Sequence, residues 1–260
     1  MDGGAATFAR EAPVEARGVS YAYGEGELRR PVLRDVDLRV ALGEVVLLTG
    51  PSGSGKTTLL TLVGALRAMQ PGSGALRVLG LDLARATEGQ RTALRRRIGF
   101  VFQQHNLLGF LTARQNVAMA LELRAELSER ERLARAGAML AAVGLAEHAD
   151  RIPERLSGGQ RQRVAVARAL VAEPGLVLAD EPTAALDKAS GAEVVGLLRD
   201  LARRRGAAVL MVTHDPRVLG IADRVVAMED GRVVDGADAA SSAAGSLPPA
   251  QSTTSVAPAA

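Results

Sequence analysis

Residues 49–60 read TGPSGSGKTTLL, and they stand between an apolar run, EVVLLT, and a run of helix formers, KTTLLTLVGAL. Gly50, Pro51, Ser52, Gly53, Ser54, Gly55, Lys56 and Thr57 fit the pattern G-x-x-x-x-G-K-[ST] in the strand-to-helix setting that its physics needs. Glycines let successive backbone N–H groups turn inward, and the helix start adds partial positive charge, so the loop is a cup for phosphate oxygens. Only two lysines occur in the chain, Lys56 and Lys188, against thirty-two Lys plus Arg in total. A lysine kept here suits the task. Its compact ammonium on a flexible stem reaches β- and γ-phosphates as a point charge, whereas a planar guanidinium is bulkier and prefers bidentate docking. Thr57 offers a hydroxyl to Mg²⁺, so the pattern predicts binding of a nucleoside triphosphate together with magnesium.

Such a loop belongs to an α/β fold. Short β-branched runs at 44–49, 98–102, 176–179, 208–212 and 225–228 alternate with helical stretches, which predicts parallel strands buried on both faces. The stretch from Phe102 to Leu176 breaks the alternation and reads almost wholly as helix, including 128–142 and 159–172. A helical subdomain at about 104–172 is therefore expected between neighbouring strands. Residues 1–15 read as a flexible lead-in and 16–235 as the folded unit. The stretch 236–260, rich in Ala, Ser, Thr and Pro, reads as a disordered tail.

Composition removes several classes of function. With 260 residues and 47% hydrophobic content the chain can bury a sizeable core. It has no run of eighteen apolar residues and no apolar signal region at its N-terminus, so any role at a membrane is expected to come through a partner. The absence of cysteine removes disulfides, thiolate metal sites and thiol redox chemistry. Arginine runs at 95–97 and 203–205 read as solvated helix faces, since no stacking aromatics accompany them, and no nucleic-acid partner is expected. The three histidines are too scattered for a metal set, and His105 and His148 read as ordinary surface or helix residues.

Two acids end the buried strand of LVLADEP. Asp180 is placed to hold Mg²⁺ through its water shell, and Glu181 beside it to polarise an attacking water as general base. His214 ends another apolar strand, AAVLMVTHD, and so emerges at the sheet edge where α/β folds place their ligands, in a position to sense a γ-phosphate. A second glycine-rich helix start, LSGGQRQRVAVARAL, opens with Ser157, Gly158 and Gly159. It offers free N–H groups to an oxyanion but has neither lysine nor metal ligand. Ser157 as an ordinary helix cap explains the stretch by itself; a further role, closing on a phosphate held by a second copy of the chain, rests on the company it keeps.

Read together, GPSGSGKTT, the Gln103 of VFQQ, LSGGQ, LVLADEP, AALD and the His214 of VTHD resemble, in order and type, the ATP-binding cassette (ABC) family over essentially residues 17–235. The resemblance implies a P-loop NTPase core with a parallel-strand sheet, an N-terminal antiparallel β portion and an inserted α-helical subdomain. It implies a homodimer with two MgATP sandwiched head to tail, each held by one P-loop with Thr58 and by the partner's Ser157, Gly158, Gly159 and Gln160. By the same resemblance Gln103 links the γ-phosphate and metal to the helical subdomain, and Ala185, Leu186 and Asp187 cross the dimer seam. Tyr23 matches the aromatic that stacks on adenine; Tyr21 shares its face on an extended strand, and a core role stays open for either. The implied catalytic set is Glu181, His214, Gln103 and Lys56, with Thr57, Gln103 and Asp180 at the metal.

The stretches GEGELRRPVLRDV and QQHNLLGFLTARQNVAMALEL look like the exporter branch of lipoprotein-releasing and macrolide-exporting cassettes, and the second of them, with LLTLVGALRAMQPGSGALRVLG, is especially similar to the DevA type. That likeness implies an ATPase subunit at the cytoplasmic face of the inner membrane, peripheral through an integral membrane permease, with a membrane-fusion subunit as a further partner. The expected cargo is a lipid, glycolipid, lipoprotein or amphiphilic drug or peptide. A cassette regulating a membrane complex in cell division or envelope remodelling is the alternative. Leu107, Leu108, Phe110 and Leu111 after Gln103 form an apolar set suited to receive a permease helix, although core packing accounts for part of it.

Overall fold

The computed structural model describes residues 12–234. Of the expected lead-in 1–15, residues 1–11 lie outside the described residues, whereas Val14 and Glu15 already belong to the first strand and Val14 is fully buried; the expected tail 236–260 lies outside the described residues. Strands β1 (Val14–Tyr23) and β2 (Arg30–Val40) pair antiparallel. They are followed by β3 (Val45–Thr49), α1 (Lys56–Val63), β4 (Ala75–Val78), β5 (Leu81–Asp82), α2 (Glu88–Arg95) and β6 (Ile98–Val101). Next come α3 (Ala113–Ala118), α4 (Glu129–Ala142) and α5 (Gly158–Leu170), then β7 (Leu176–Asp180), α6 (Lys188–Arg204), β8 (Ala208–Val212), β9 (Arg224–Glu229) and β10 (Arg232–Val234).

Two sheets form, a four-stranded one in the order β2-β1-β4-β5 and a six-stranded one in the order β10-β9-β3-β8-β7-β6. In the larger sheet β9, β3, β8, β7 and β6 run parallel, and only the edge strand β10 is antiparallel. The α/β class with an antiparallel β portion is thus as the sequence predicts.

The apolar runs of the central strands explain the layering. Successive side chains point to opposite faces. Val45 and Leu47 of β3, Val177 and Ala179 of β7, and Val209 and Met211 of β8 enter one core with Val117, Leu140, Val166, Leu170 and Leu198 of the helices. The alternate residues Val46, Leu48, Leu176, Leu178 and Leu210 enter a second core with Leu59 and Leu62 of α1 and the inner face of the antiparallel sheet. The sheet is a wall between two cores.

Between β6 and β7 the chain leaves the sheet for α3, α4 and α5. This segment is less continuously helical than its sequence predicts: residues 102–112 are turns, Gly144 closes α4 with φ of 72°, and short 3₁₀ turns lead to Ser157. The helices start where side chains cap them, with reciprocal capping boxes at Thr112/Gln115, Ser128/Glu131 and Ser157/Gln160. The arginine runs are not simply solvated. Arg95 donates to Ala65 O and Glu88, Arg97 to Leu79 O, and Arg205 to Leu170 O, so they tie elements together.

Candidate functional site

The loop after β3 turns on three glycines in conformations that L side chains rarely adopt, Gly50 (φ 133°), Gly53 (φ 82°) and Gly55 (φ 99°). Two of them also lack room. A β-carbon on Gly50 would sit 2.0 Å from Met228 O, and one on Gly55 2.7 Å from Leu33 Cδ2, whereas Gly53 faces open space. Gly55 caps α1, leaving the first helical N–H groups without acceptors within the helix.

Lys56 is 5% exposed and folds back over the loop, its ammonium donating to Gly50 O and Pro51 O at 2.8 Å and to Ser54 Oγ at 3.2 Å. Burial pulls its pKa below the ordinary lysine value, and the nearby Glu181 and Asp180 carboxylates work against that.

The two acids lie opposite. Thr57 Oγ1 donates to Asp180 Oδ1 at 3.3 Å, which joins the start of α1 to the end of β7. Burial pushes the Asp180 carboxyl above the ordinary range, against the opposing pull of the Thr57 hydroxyl and Lys56. Glu181 comes next, in left-handed backbone with φ of 47°, and its N–H donates to Val212 O on β8. Its carboxylate accepts from the His214 N–H at 3.4 Å and lies 3.3 Å from His214 Nε2. Ser52, Gly53, Gly55, Lys56, Thr57, Thr58, Glu181 and His214 line one cavity of about 350 Å³ with Val32 and Val212.

A phosphate and a hard cation fit this surface. It offers inward N–H groups, one ammonium, and a hydroxyl beside a carboxylate, the oxygen donors that Mg²⁺ prefers. Among the described residues no cluster of three or more His, Cys, Asp or Glu forms a metal cage. The protein would therefore supply few ligands, as suits an ion that keeps phosphate and water in its shell.

Tyr23 joins the same region through its hydroxyl, 3.2 Å from Thr58 Oγ1. Its ring meets that of Tyr21 edge-on at 5.3 Å, and the Arg67 guanidinium lies 4.7 Å from its centroid. Tyr21 and Tyr23 do share a face, but Tyr21 packs on the core while Tyr23 is 36% exposed. Arg67 carries no motif that would have singled it out.

Other sequence-derived residues stand apart. Gln103, Ser157, Gly158, Gly159, Gln160 and Asp187 do not line the cavity. The α5 start runs instead beside the chain's own 185–190 turn: a β-carbon on Gly158 would lie 3.6 Å from Ala185 O, and one on Gly159 3.5 Å from Ser190. Asp187 caps α6, its carboxylate accepting from the Ala189 and Ser190 N–H groups and the Ser190 hydroxyl, which holds it below the ordinary carboxylate range.

The apolar set after Gln103 divides. Leu107 packs on the helical core, while Leu108 (37% exposed) and Phe110 (79%) face outward. A groove of about 540 Å³, which neither of them lines, is floored by Phe100, Phe102, Met119 and Leu123. His105 is not an ordinary surface residue. It adopts a left-handed backbone, its Nε2 is buried without a partner, and burial lowers its pKa.

Residues 33–184 match the family described as "ABC transporter". The lipoprotein-releasing system ATP-binding protein LolD of Bordetella pertussis is 47% identical over 221 residues, covering 85% of this chain and 94% of that protein. The macrolide export ATP-binding/permease protein MacB 1 of Aeromonas hydrophila is 46% identical over 226 residues, covering 86% of this chain but only 34% of MacB 1. The chain thus spans about a third of the length of its MacB relatives. Among solved structures, the post-hydrolysis dimer of the ATP-binding cassette MJ0796 with ADP and Pi is 38% identical, with a TM-score of 0.78 over 87% of this chain and 98% of that one.

Proposed function

Because the chain belongs to the ABC transporter family, we propose that it is the ATP-hydrolysing subunit that dimerises around two MgATP and drives a separate membrane permease. One observation carries this reading: Lys56, Thr57, Glu181 and His214, from separate stretches of sequence, line a single cavity at one edge of the sheet. Lys56 neutralises phosphate charge, Thr57 and Asp180 hold Mg²⁺, and Glu181 takes the proton of the attacking water with His214 against its carboxylate. Magnesium supplies charge neutralisation at the phosphates when bound.

Gln103 is assigned to the γ-phosphate and metal, and Tyr23 to the adenine. In a second copy, Ser157, Gly158, Gly159 and Gln160 close the site, which explains why they stand away from the cavity of their own chain. The LolD and MJ0796 likenesses, each covering nearly the whole of its relative, support a dimeric cassette. The functional unit is assigned to 16–235, with its helical subdomain over about 104–172.

No helix among the described residues is long and apolar enough to cross a membrane. We take the permease to be a separate integral membrane chain, with this subunit peripheral to it at the cytoplasmic face of the inner membrane and contacting it at the Phe100–Leu123 groove and exposed Phe110. The names of the LolD and MacB relatives support an amphiphilic cargo. Within that branch the DevA type, with its membrane-fusion partner, is our finer assignment; it rests on the stretches around 60–80 and 103–123.

Glu181→Gln is expected to bind MgATP and accumulate as a dimer without turnover, while Lys56→Ala loses nucleotide; size-exclusion chromatography with radiolabelled ATP reads both. Steady hydrolysis by Glu181→Gln at the parental rate would remove the base assignment. A parent protein that stays monomeric and leaves MgATP intact, with its permease supplied, would sink the whole reading.

A further inference from the structure

The loop 103–112 holds a run of left-handed backbone, in residue types that enter it more readily than most. His105 (φ 59°) and Asn106 (φ 49°) are consecutive left-handed residues, and neither is glycine. Such a turn persists only where its surroundings hold it.

Besides two backbone bonds of the turn itself, from His105 N–H to Phe102 O and from Asn106 N–H to Gln104 O, one side chain holds these residues. Arg168, on α5, donates from Nη2 to His105 O at 2.6 Å and from Nη1 to Asn106 O at 2.5 Å. It is the lone charge in the run VAVARALVA, and these bonds go to carbonyls instead of a carboxylate. Placing a cation there is costly unless the bonds it makes matter. At the far end of the loop the fully buried Asn116 accepts from Leu108 N–H and donates to the carbonyls of Leu108, Leu111 and Thr112. The loop is pinned twice, once to α5 and once to α3.

We propose that Arg168 is a positioning residue that clamps the Gln103-bearing loop to the helix headed by Ser157, so that the two γ-phosphate elements of the chain move as one body. Gln103 lies two residues before the clamped turn, and Ser157 caps the helix that carries Arg168. The clamp lies eleven positions along the helix from the cap, a rigid arm of roughly 16 Å. Tilting α5 toward a second copy of the chain therefore carries Gln103 with it. The inference rests on the proposed γ-phosphate roles of Gln103 and Ser157; the clamp itself does not.

The test uses the full chain with Arg168→Ala, Arg168→Lys, Gln103→Ala and the Arg168→Ala/Gln103→Ala double variant. Hydrogen exchange reads the clamp directly. In Arg168→Ala the amides of 105–109 are expected to exchange about tenfold faster, with ATP affinity within about twofold of the parent. Unchanged exchange there overturns the clamp.

Steady-state kinetics read the coupling. Arg168→Ala is expected to lower kcat about tenfold with KM nearly unchanged, Arg168→Lys to recover part of that loss, and the double variant to be no slower than Gln103→Ala. Multiplying effects, or a raised KM with an intact kcat, overturn the coupling. A Gln103→Ala variant at the parental rate removes the γ-phosphate reading instead, and hydrogen exchange alone then decides the clamp. Should Arg168→Ala fail to fold, Arg168→Lys and Arg168→Gln carry the same comparisons.

Discussion

The 50–57 and 103–112 loops leave the same edge of the central sheet, after parallel strands, and both contain left-handed backbone. They secure it by opposite means. In the first, glycine stands at each left-handed position, two of them with no room for a β-carbon, and the loop's own lysine bonds its carbonyls. In the second, a histidine and an asparagine stand there with their carbonyls bonded by Arg168, and Asn116 ties down the residues beyond them. A loop whose own glycines accept its turns and whose own lysine bonds its carbonyls keeps its shape locally; a loop held by distant side chains moves with the elements that hold it.

The sharpest way to break this contrast is Gly55→Ala. Left-handed strain and overlap with Leu33 and Val32 O together should cost about 4 kcal/mol, with ATP binding lost, as urea unfolding and nucleotide titration would read. Gly53→Ala, with open space around it, should cost only about 1 kcal/mol. Equal costs at the two positions would mean that packing around the loop does not shape it.

A smaller effect is expected from Asn116→Ala. It strands several buried carbonyls and should cost about 2–3 kcal/mol, with faster proteolysis near Phe110 and unaltered nucleotide affinity. Loss of ATP binding in this variant would show that the two loops are not independent.

The smallest effect concerns charge. The native pKa of Asp180 is raised, so its protonated form is favoured on folding; its contribution to stability is best at low pH and is lost as pH rises through that pKa. Asp180→Asn should therefore raise the nucleotide-free Tm by no more than a few degrees at neutral pH, and by less in acid, while Mg²⁺-dependent turnover disappears. A lower Tm at neutral pH would reverse the assigned sign.

The same contrast explains how much of the fold and site is legible in the sequence. Phosphate-loop glycines, Lys56, the acids ending β7 and the serine caps at Ser128 and Ser157 are local patterns, and each shapes the backbone where it stands. The 103–112 turn reads as helix in the sequence because its conformation is imposed from 62 residues away by Arg168. A lone arginine in an apolar helix and an asparagine on the buried face of α3 are the signals that point to it. Arg67 against Tyr23 leaves no signal at all, since only the fold brings them together.

Because alternate residues of each central strand belong to different cores, no strand can slide by one position without turning both interiors inside out. The wall between the cores is thus a fixed chassis. The helices carried between β6 and β7 are joined to it covalently only through the stretches 102–112 and 171–175, so a push on that insert can travel along the backbone by two routes. One of them runs through the turn gripped by Arg168, which makes a few residues of coil the drive shaft between the helical insert and the sheet.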